Sequence, residues 1–181
     1  MKCFIIAYDG PRPANSVSLM STNIIHLCYA LSYSPERLVF HQHVQNVDLR
    51  GSTCLTDNIT NGYTFLVNNY QPGDKLFIFG FSRGAFAAQA LANLVARLGV
   101  LLRRDMEAIG AYLDGKLDDF KVKKISPNKS CDFPQGDLTR YAYDVDIEVV
   151  GCWDTGVSSG YEHLDTSLVK GKMNLLFFGR I

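Results

Sequence analysis

The sequence predicts a three-layer α/β domain: a mostly parallel sheet with helices on both faces. Three observations predict it. Short apolar runs alternate with longer segments of helical periodicity through most of the chain. The strongest apolar run, KLFIFGF over 75–81, lacks polar alternation, as a central parallel strand covered on both faces does. Glycine, proline and Asx punctuation separates the runs.

Lys2 to Tyr8 is an apolar run ended by Asp9-Gly10-Pro11-Arg12-Pro13, a strand leaving the core for a loop. Ser21-Thr22-Asn23 is a helix-start signal, and Ile24, Ile25, Leu27, Cys28 and Leu31 follow at helical spacing until Ser34-Pro35. Arg37 to Val44 (RLVFHQHV) reads as a second strand with His41 and His43 on one face. After a polar loop, Leu55 to Tyr70 carries a helical stripe of Leu55, Ile59, Tyr63, Leu66 and Val67, stopped by Gln71-Pro72-Gly73-Asp74. The central strand then runs directly into an alanine-rich helix, Arg83 to Leu98, with Phe86, Ala90, Leu94 and Leu98 on one face. One or two helices are expected over Arg104 to Phe120 and an exposed excursion over Lys121 to Gln135, whose lysines read as a solvated face. Asp146 to Trp153 is a further strand, and Asn174 to Phe178 is a candidate for another. Residues 1–181 thus read as one domain, with 103–140 a helical or loop excursion and the fold expected to be incomplete at its C-terminal end.

Composition narrows the function classes. The chain has 181 residues, 47% hydrophobic and 20% charged, the balance of a packed domain. Its 18 basic and 18 acidic residues cancel, which argues against a protein held on nucleic acid or anionic membrane by bulk charge. Its apolar runs fall far short of the roughly 20 residues of a bilayer span. Asp9 arrives too early for a signal-peptide core, so a cytoplasmic location is the expectation, with leaderless secretion compatible. The five cysteines (Cys3, Cys28, Cys54, Cys131, Cys152) contain no CxxC pair and are odd in number, against a disulfide framework or zinc ribbon.

The chemistry sits in Gly80-Phe81-Ser82-Arg83-Gly84, a GxSxG pentapeptide between an apolar strand and a helix. That strand–turn–helix context is the nucleophile elbow of α/β-hydrolases. Gly80 and Gly84, lacking Cβ atoms, let strand and helix approach. Ser82 is lifted above the helix N-terminus, where the dipole and the Arg83 N–H stabilise a developing oxyanion. The alternative is an ordinary glycine-flanked turn with a capping serine. A serine needs a base, and the base an orienting acid, in the chain order Ser, Asp or Glu, His. Asp154 ends its strand where catalytic groups of an open α/β sheet collect, the alternative being a simple Asp-Thr-Gly turn. Of His26, His41, His43 and His163, only His163 follows Asp154. His26 reads as structural. His41 and His43 make a metal pair only if a third ligand joins them, and none is evident from spacing. Asp9-Gly10 leaves the first strand at the same sheet edge, placed to supply a second oxyanion donor, hold the loop or bind a cation, or simply to end the strand in an Asx turn.

The residues also resemble a known family, the catalytic domain of type VI secretion phospholipase-effector-like α/β-hydrolases. The similarity runs through Asp9-Gly10, Thr22-Asn23-Ile24-Ile25-His26-Leu27, Tyr63-x-Phe65-Leu66, the block from Asn69 through Pro72-Gly73-Asp74 to Gly80-Phe81-Ser82-Arg83-Gly84-Ala85-Phe86, and Val150-Gly151-Cys152-Trp153-Asp154-Thr155. The resemblance implies Ser82 as nucleophile, Asp154 as triad acid, and phospholipase or esterase activity. Two departures stand out: Pro11 follows Gly10 where the family usually has threonine, and the family's histidine segment lies well beyond Asp154.

The leading expectation is therefore a serine hydrolase of a carboxylic ester, plausibly a lipid, using Ser82, Asp154 and His163 and needing no metal or organic cofactor. The alternative is a truncated or impaired family member without a competent histidine, acting as a binding module. A nucleotide-binding domain is disfavoured, since Gly80-x-x-x-Gly84 matches neither dinucleotide nor P-loop spacing.

Overall fold

A computed structural model describes residues 1–10, 22–31, 34–44, 53–113, 122–125, 140–155 and 173–178. Five parallel strands form the main sheet in the order β2-β1-β3-β7-β8: β1 Cys3–Asp9, β2 Arg37–His43, β3 Lys75–Phe81, β7 Ile147–Trp153 and β8 Met173–Phe178. Between them run α1 (Asn23–Ala30), α2 (Thr53–Asn69) and α3 (Arg83–Leu98). The α/β class read from the sequence is the class observed, and the Asn174–Phe178 run is indeed a strand, paired with β7.

The helix starts follow their capping chemistry. Thr22 is the N-cap of α1, in extended backbone, and its hydroxyl accepts from the Ile25 N–H at 3.2 Å. Tyr70 N still bonds Leu66 O, after which Gln71-Pro72-Gly73-Asp74 turns the chain, with Asp74 Oδ2 accepting from Gln71 N at 3.0 Å.

The main core cluster packs on one face of the sheet, although β1 is buried on both. Phe4, Ile6 and Tyr8 of β1 and Leu76 and Ile78 of β3 pack against Ile59, Tyr63 and Leu66 of α2 and Leu91 and Val95 of α3. Each such side chain contributes roughly 1.5–3 kcal/mol on burial. Phe4 stacks edge-on to Phe65 at 6.0 Å between ring centroids, and the Tyr8 hydroxyl donates to the Asn58 carbonyl at 3.0 Å. Burial pushes the Tyr8 and Tyr63 hydroxyls well above the ordinary phenolic range. The opposite face, toward α1, is covered less. In β3 the burial alternates, Leu76, Ile78 and Gly80 buried and Phe77, Phe79 and Phe81 half-buried. The sequence, apolar at both sets of positions, predicts burial on both faces. Among the described residues α1, eight residues long, packs there on β1 and β3, whereas the longer α2 and α3 pack on the other face.

The 103–140 stretch departs further from expectation. A 3₁₀ turn at Arg103–Asp105 and a short α4 (Glu107–Leu113) lie where one or two helices are expected, and 114–120 fall outside the described residues. A second, three-stranded sheet follows the order β4-β6-β5, from Val100–Leu101, Arg140–Tyr143 and Val122–Ile125. β5 falls within the segment read as an exposed excursion. Four residues with two lysines hold no local strand signal, and their strand character comes from parallel pairing with β6. Tyr63 anchors this sheet to α2: its hydroxyl donates to Gly99 O at 2.8 Å and accepts from Leu101 N at 3.1 Å. Among the described residues, no helix is long and apolar enough to cross a membrane.

The topology also locates the functional edge. The chain leaves β1 for β2 on one side and returns to β3 on the other, so the winding reverses between β1 and β3. Ligands of open α/β sheets bind in the crevice outside the strand ends at such a reversal. Here that crevice is flanked by Asp9-Gly10 and by Ser82.

Candidate active site

Ser82 stands at a sharp corner. Its φ is 55° and its ψ is −122°, between the last residue of β3 and the first of α3. Among the described residues, Ser82 and Asp154 are the two non-glycine positions with positive φ. Such a conformation costs of order 1–3 kcal/mol and persists only where the surroundings impose it. The surroundings are visible. A Cβ on Gly80 would run into the backbone of Gly84 and Ala85, and a Cβ on Gly84 would run into the Tyr8 and Asp9 carbonyl oxygens of β1. The two glycines therefore let the helix start press against two strands at once, and the residue between them is forced out of ordinary backbone space. The Ser82 hydroxyl makes no capping hydrogen bond, so the capping-serine alternative is not the arrangement found.

Asp154 lies next to this corner by register. Phe81 of β3 is opposite Trp153 of β7, and Ser82 N donates to Trp153 O at 2.9 Å. The next residue on each strand is Ser82 and Asp154. The half-buried Asp154, with φ 45°, turns the chain out of the sheet. Two contacts tie the first turns of α3 to this strand end: Gln89 Nε2 donates to Thr155 Oγ1 at 3.4 Å, and Cys152 Sγ lies 3.8 Å from Ala85 O. Burial pushes the Cys152 thiol up, as suits an inert core residue rather than a nucleophile. Cys3, Cys28 and Cys152 are all free thiols.

The Asp9-Gly10 segment closes the other side of the crevice. Asp9 is fully buried. Its Oδ1 accepts from Gly10 N at 2.8 Å, and its Oδ2 accepts from the Thr22 hydroxyl at 2.8 Å. The Gly10 N–H is thus turned into its own loop, and in this arrangement it holds the loop instead of facing an oxyanion. Gly10 still shapes the site, since a Cβ there would come within 3.3 Å of Ser82 Cβ and of the Phe81 ring.

The histidines separate. His26 sits exposed on α1, away from the apolar stripe the sequence suggests. His41 and His43 share one face of β2, and the third group that spacing could not reveal is Asp9. Parallel pairing puts Asp9 opposite His43, with His43 Nδ1 at 3.5 Å and His41 Nε2 at 4.0 Å from Asp9 Oδ2. Sequence separation hid this cluster, and the only signal that could have found it is the parallel register of β1 and β2. Burial, and then the negative charge of Asp9, push the Cys28 thiol up. His163 lies outside the described residues.

Comparison with known proteins fits this geometry. The family described as "T6SS, Phospholipase effector Tle1-like, catalytic domain" matches residues 2–175. The uncharacterized protein YEL023C of Saccharomyces cerevisiae is 43% identical over 124 residues, covering 55% of this chain and 18% of the yeast protein. The chain thus spans less than a fifth of that relative's length. No solved structure matches the chain. The corner at Ser82, the strand end at Asp154 and a family match across nearly all of the sequence agree, and the chain belongs to the Tle1-like phospholipase effector catalytic domain family.

Proposed function

We propose that this chain is a serine hydrolase that cleaves a carboxylic ester of a phospholipid or another lipid, with Ser82 as its nucleophile. The observation that carries the reading is the backbone of Ser82: φ 55° without a glycine, at the reversal point of a parallel sheet, beside the strand end that bears Asp154. Membership of a phospholipase-effector family supports the lipid ester as substrate.

The chemistry follows from these roles. Ser82 Oγ attacks the acyl carbonyl and passes its proton to a histidine. By chain order that histidine is His163, with Asp154 holding its ring and stabilising the imidazolium. The first turn of α3 faces the developing oxyanion with the positive end of a sixteen-residue helix and the Arg83 N–H. Asp9 keeps the Gly10 loop against the elbow, so that Gly80, Gly84 and Gly10 together fix where the serine stands. The intermediate collapses as the imidazolium gives that proton to the departing alcohol, leaving the acyl group on Ser82, and water activated by the same histidine then releases the carboxylic acid and restores the serine. None of these steps calls on a metal or organic cofactor.

The test is hydrolysis of a short-chain p-nitrophenyl ester and of phosphatidylcholine vesicles by the protein and its variants. Ser82→Ala and His163→Ala are expected to lose at least about 10³-fold in kcat, and Asp154→Asn a comparable amount by misorienting the base. Full activity in Ser82→Ala defeats the proposal; full activity in His163→Ala alone moves the base to another residue.

A further inference from the structure

We propose that Asp9, His41 and His43 form a binding site for one divalent transition-metal ion of the zinc type, at the ends of β1 and β2. The site shares Asp9 with the loop that holds the elbow, but the metal takes no part in the ester chemistry proposed above.

Its three ligand atoms, one from each residue, lie within 4.8 Å of one another. The two imidazole rings are 5.0 Å apart between centroids and inclined at 71°, edge to face instead of stacked. Ligands at about 2.0–2.1 Å around a tetrahedral ion stand roughly 3.3 Å apart. The 3.5 and 4.0 Å separations from Asp9 Oδ2 therefore close by small side-chain rotations. The backbone is already in place. His41 and His43, two apart on one strand, share a face, and the in-register partner of His43 is Asp9. Sites set on strands hold their geometry better than sites set on loops.

Charge points the same way. Asp9 is fully buried, and its ion-pair partners among the described residues are these two imidazoles, which are cationic only when protonated. A buried carboxylate left without a cation is costly, and a divalent ion meets that need at neutral pH. His43 Nδ1, the nitrogen that stands 3.5 Å from Asp9 Oδ2, has a long 3.4 Å contact with Gly10 O, so its lone pair can turn to an ion. The outer groups are those of a metal centre: the Thr22 hydroxyl and the Gly10 N–H both bond to the carboxylate. The His41 and His43 side chains are 31% and 26% exposed, which gives an ion a way in. Two imidazoles and one carboxylate select zinc and its first-row neighbours over magnesium and calcium, which prefer all-oxygen sets. Three protein ligands leave the fourth position to water.

The experiment strips the purified chain with a chelator, then titrates zinc in competition with a chromophoric chelator. It also records the thermal midpoint with and without zinc. The expected result is one zinc per chain and a midpoint raised by about 5 °C at zinc well above Kd. The double variant His41→Gln, His43→Gln should lose at least about 100-fold in affinity, whereas Ser82→Ala should bind zinc like the parent. Circular dichroism reports whether the double variant folds. If it does not, the parent's stoichiometry and midpoint shift decide alone. No midpoint shift in the parent, or undiminished binding by a folded double variant, overturns the proposal.

Discussion

Replacing Ser82 by glycine should make the protein more stable while destroying its proposed activity, whereas replacing it by alanine should leave stability unchanged. The backbone at this position has φ 55° and ψ −122°, and every side chain with a Cβ is strained there. Releasing that strain returns about 1–3 kcal/mol. Glycine gives back about 0.4–1 kcal/mol by enlarging the freedom of the unfolded chain. The hydroxyl makes no capping bond whose loss would offset the gain. The net expectation is a stabilisation of about 1 kcal/mol for Ser82→Gly. Ser82→Ala keeps its Cβ and should stay within about 0.5 kcal/mol of the parent. Urea unfolding followed by circular dichroism reads both, and the quantity that decides is the difference between the two variants. In a relaxed backbone glycine would be the less stable of the pair by roughly 0.5–1 kcal/mol. A negative difference would therefore refute the claim that residue 82 is held at a strained corner.

Three further outcomes follow from the packing. Gly84→Ala forces a Cβ onto the Tyr8 and Asp9 carbonyl oxygens, rigid strand backbone that cannot step aside. It should cost about 3 kcal/mol, a fall in thermal midpoint of roughly 6–12 °C; a loss below 2 °C would contradict the close approach of α3 to β1. Tyr63→Phe strips the Leu101 N–H of its acceptor and Gly99 O of its donor in a buried setting, and should cost about 1–3 kcal/mol by urea unfolding. Tyr8 and Tyr63 hold their protons in the fold far above the pH at which the unfolded chain loses them, near 10. The unfolded state then binds fewer protons than the native state, so stability is full below about pH 10 and falls above it. The slope is about 1.4 kcal/mol per pH unit for each tyrosine, and unfolding curves between pH 9 and 11.5 that show no decline would exclude both as buried phenols.

The sheet and the elbow were legible in the sequence because they rest on local signals. KLFIFGF followed by Ser-Arg-Gly-Ala is a strand feeding a helix at any distance from the rest of the chain, and the observed β3 and α3 begin and end at the expected residues. The Asp154 strand end was legible for the same reason. What escaped depended on partners far away in sequence. β5, with its two lysines, becomes a strand only against β6. The half-buried face of β3 depends on which distant elements pack over it, which no periodicity in β3 itself could reveal. The clearest instance is Asp9: the sequence leaves it open as a loop holder, a cation binder or a strand-ending turn, and only the parallel register shows that two histidines more than 30 positions later stand beside it. The Gly10 N–H, assigned to an oxyanion by position, is directed to Asp9 instead, because a side chain one residue away competes for it.

Covalent labelling of the chain with a fluorophosphonate, followed by peptide mass mapping, tests the central claim most directly. The account predicts a single adduct on Ser82, abolished in Ser82→Ala and slowed in Asp154→Asn. An unlabelled protein, or equal labelling of Ser82→Ala, would contradict it.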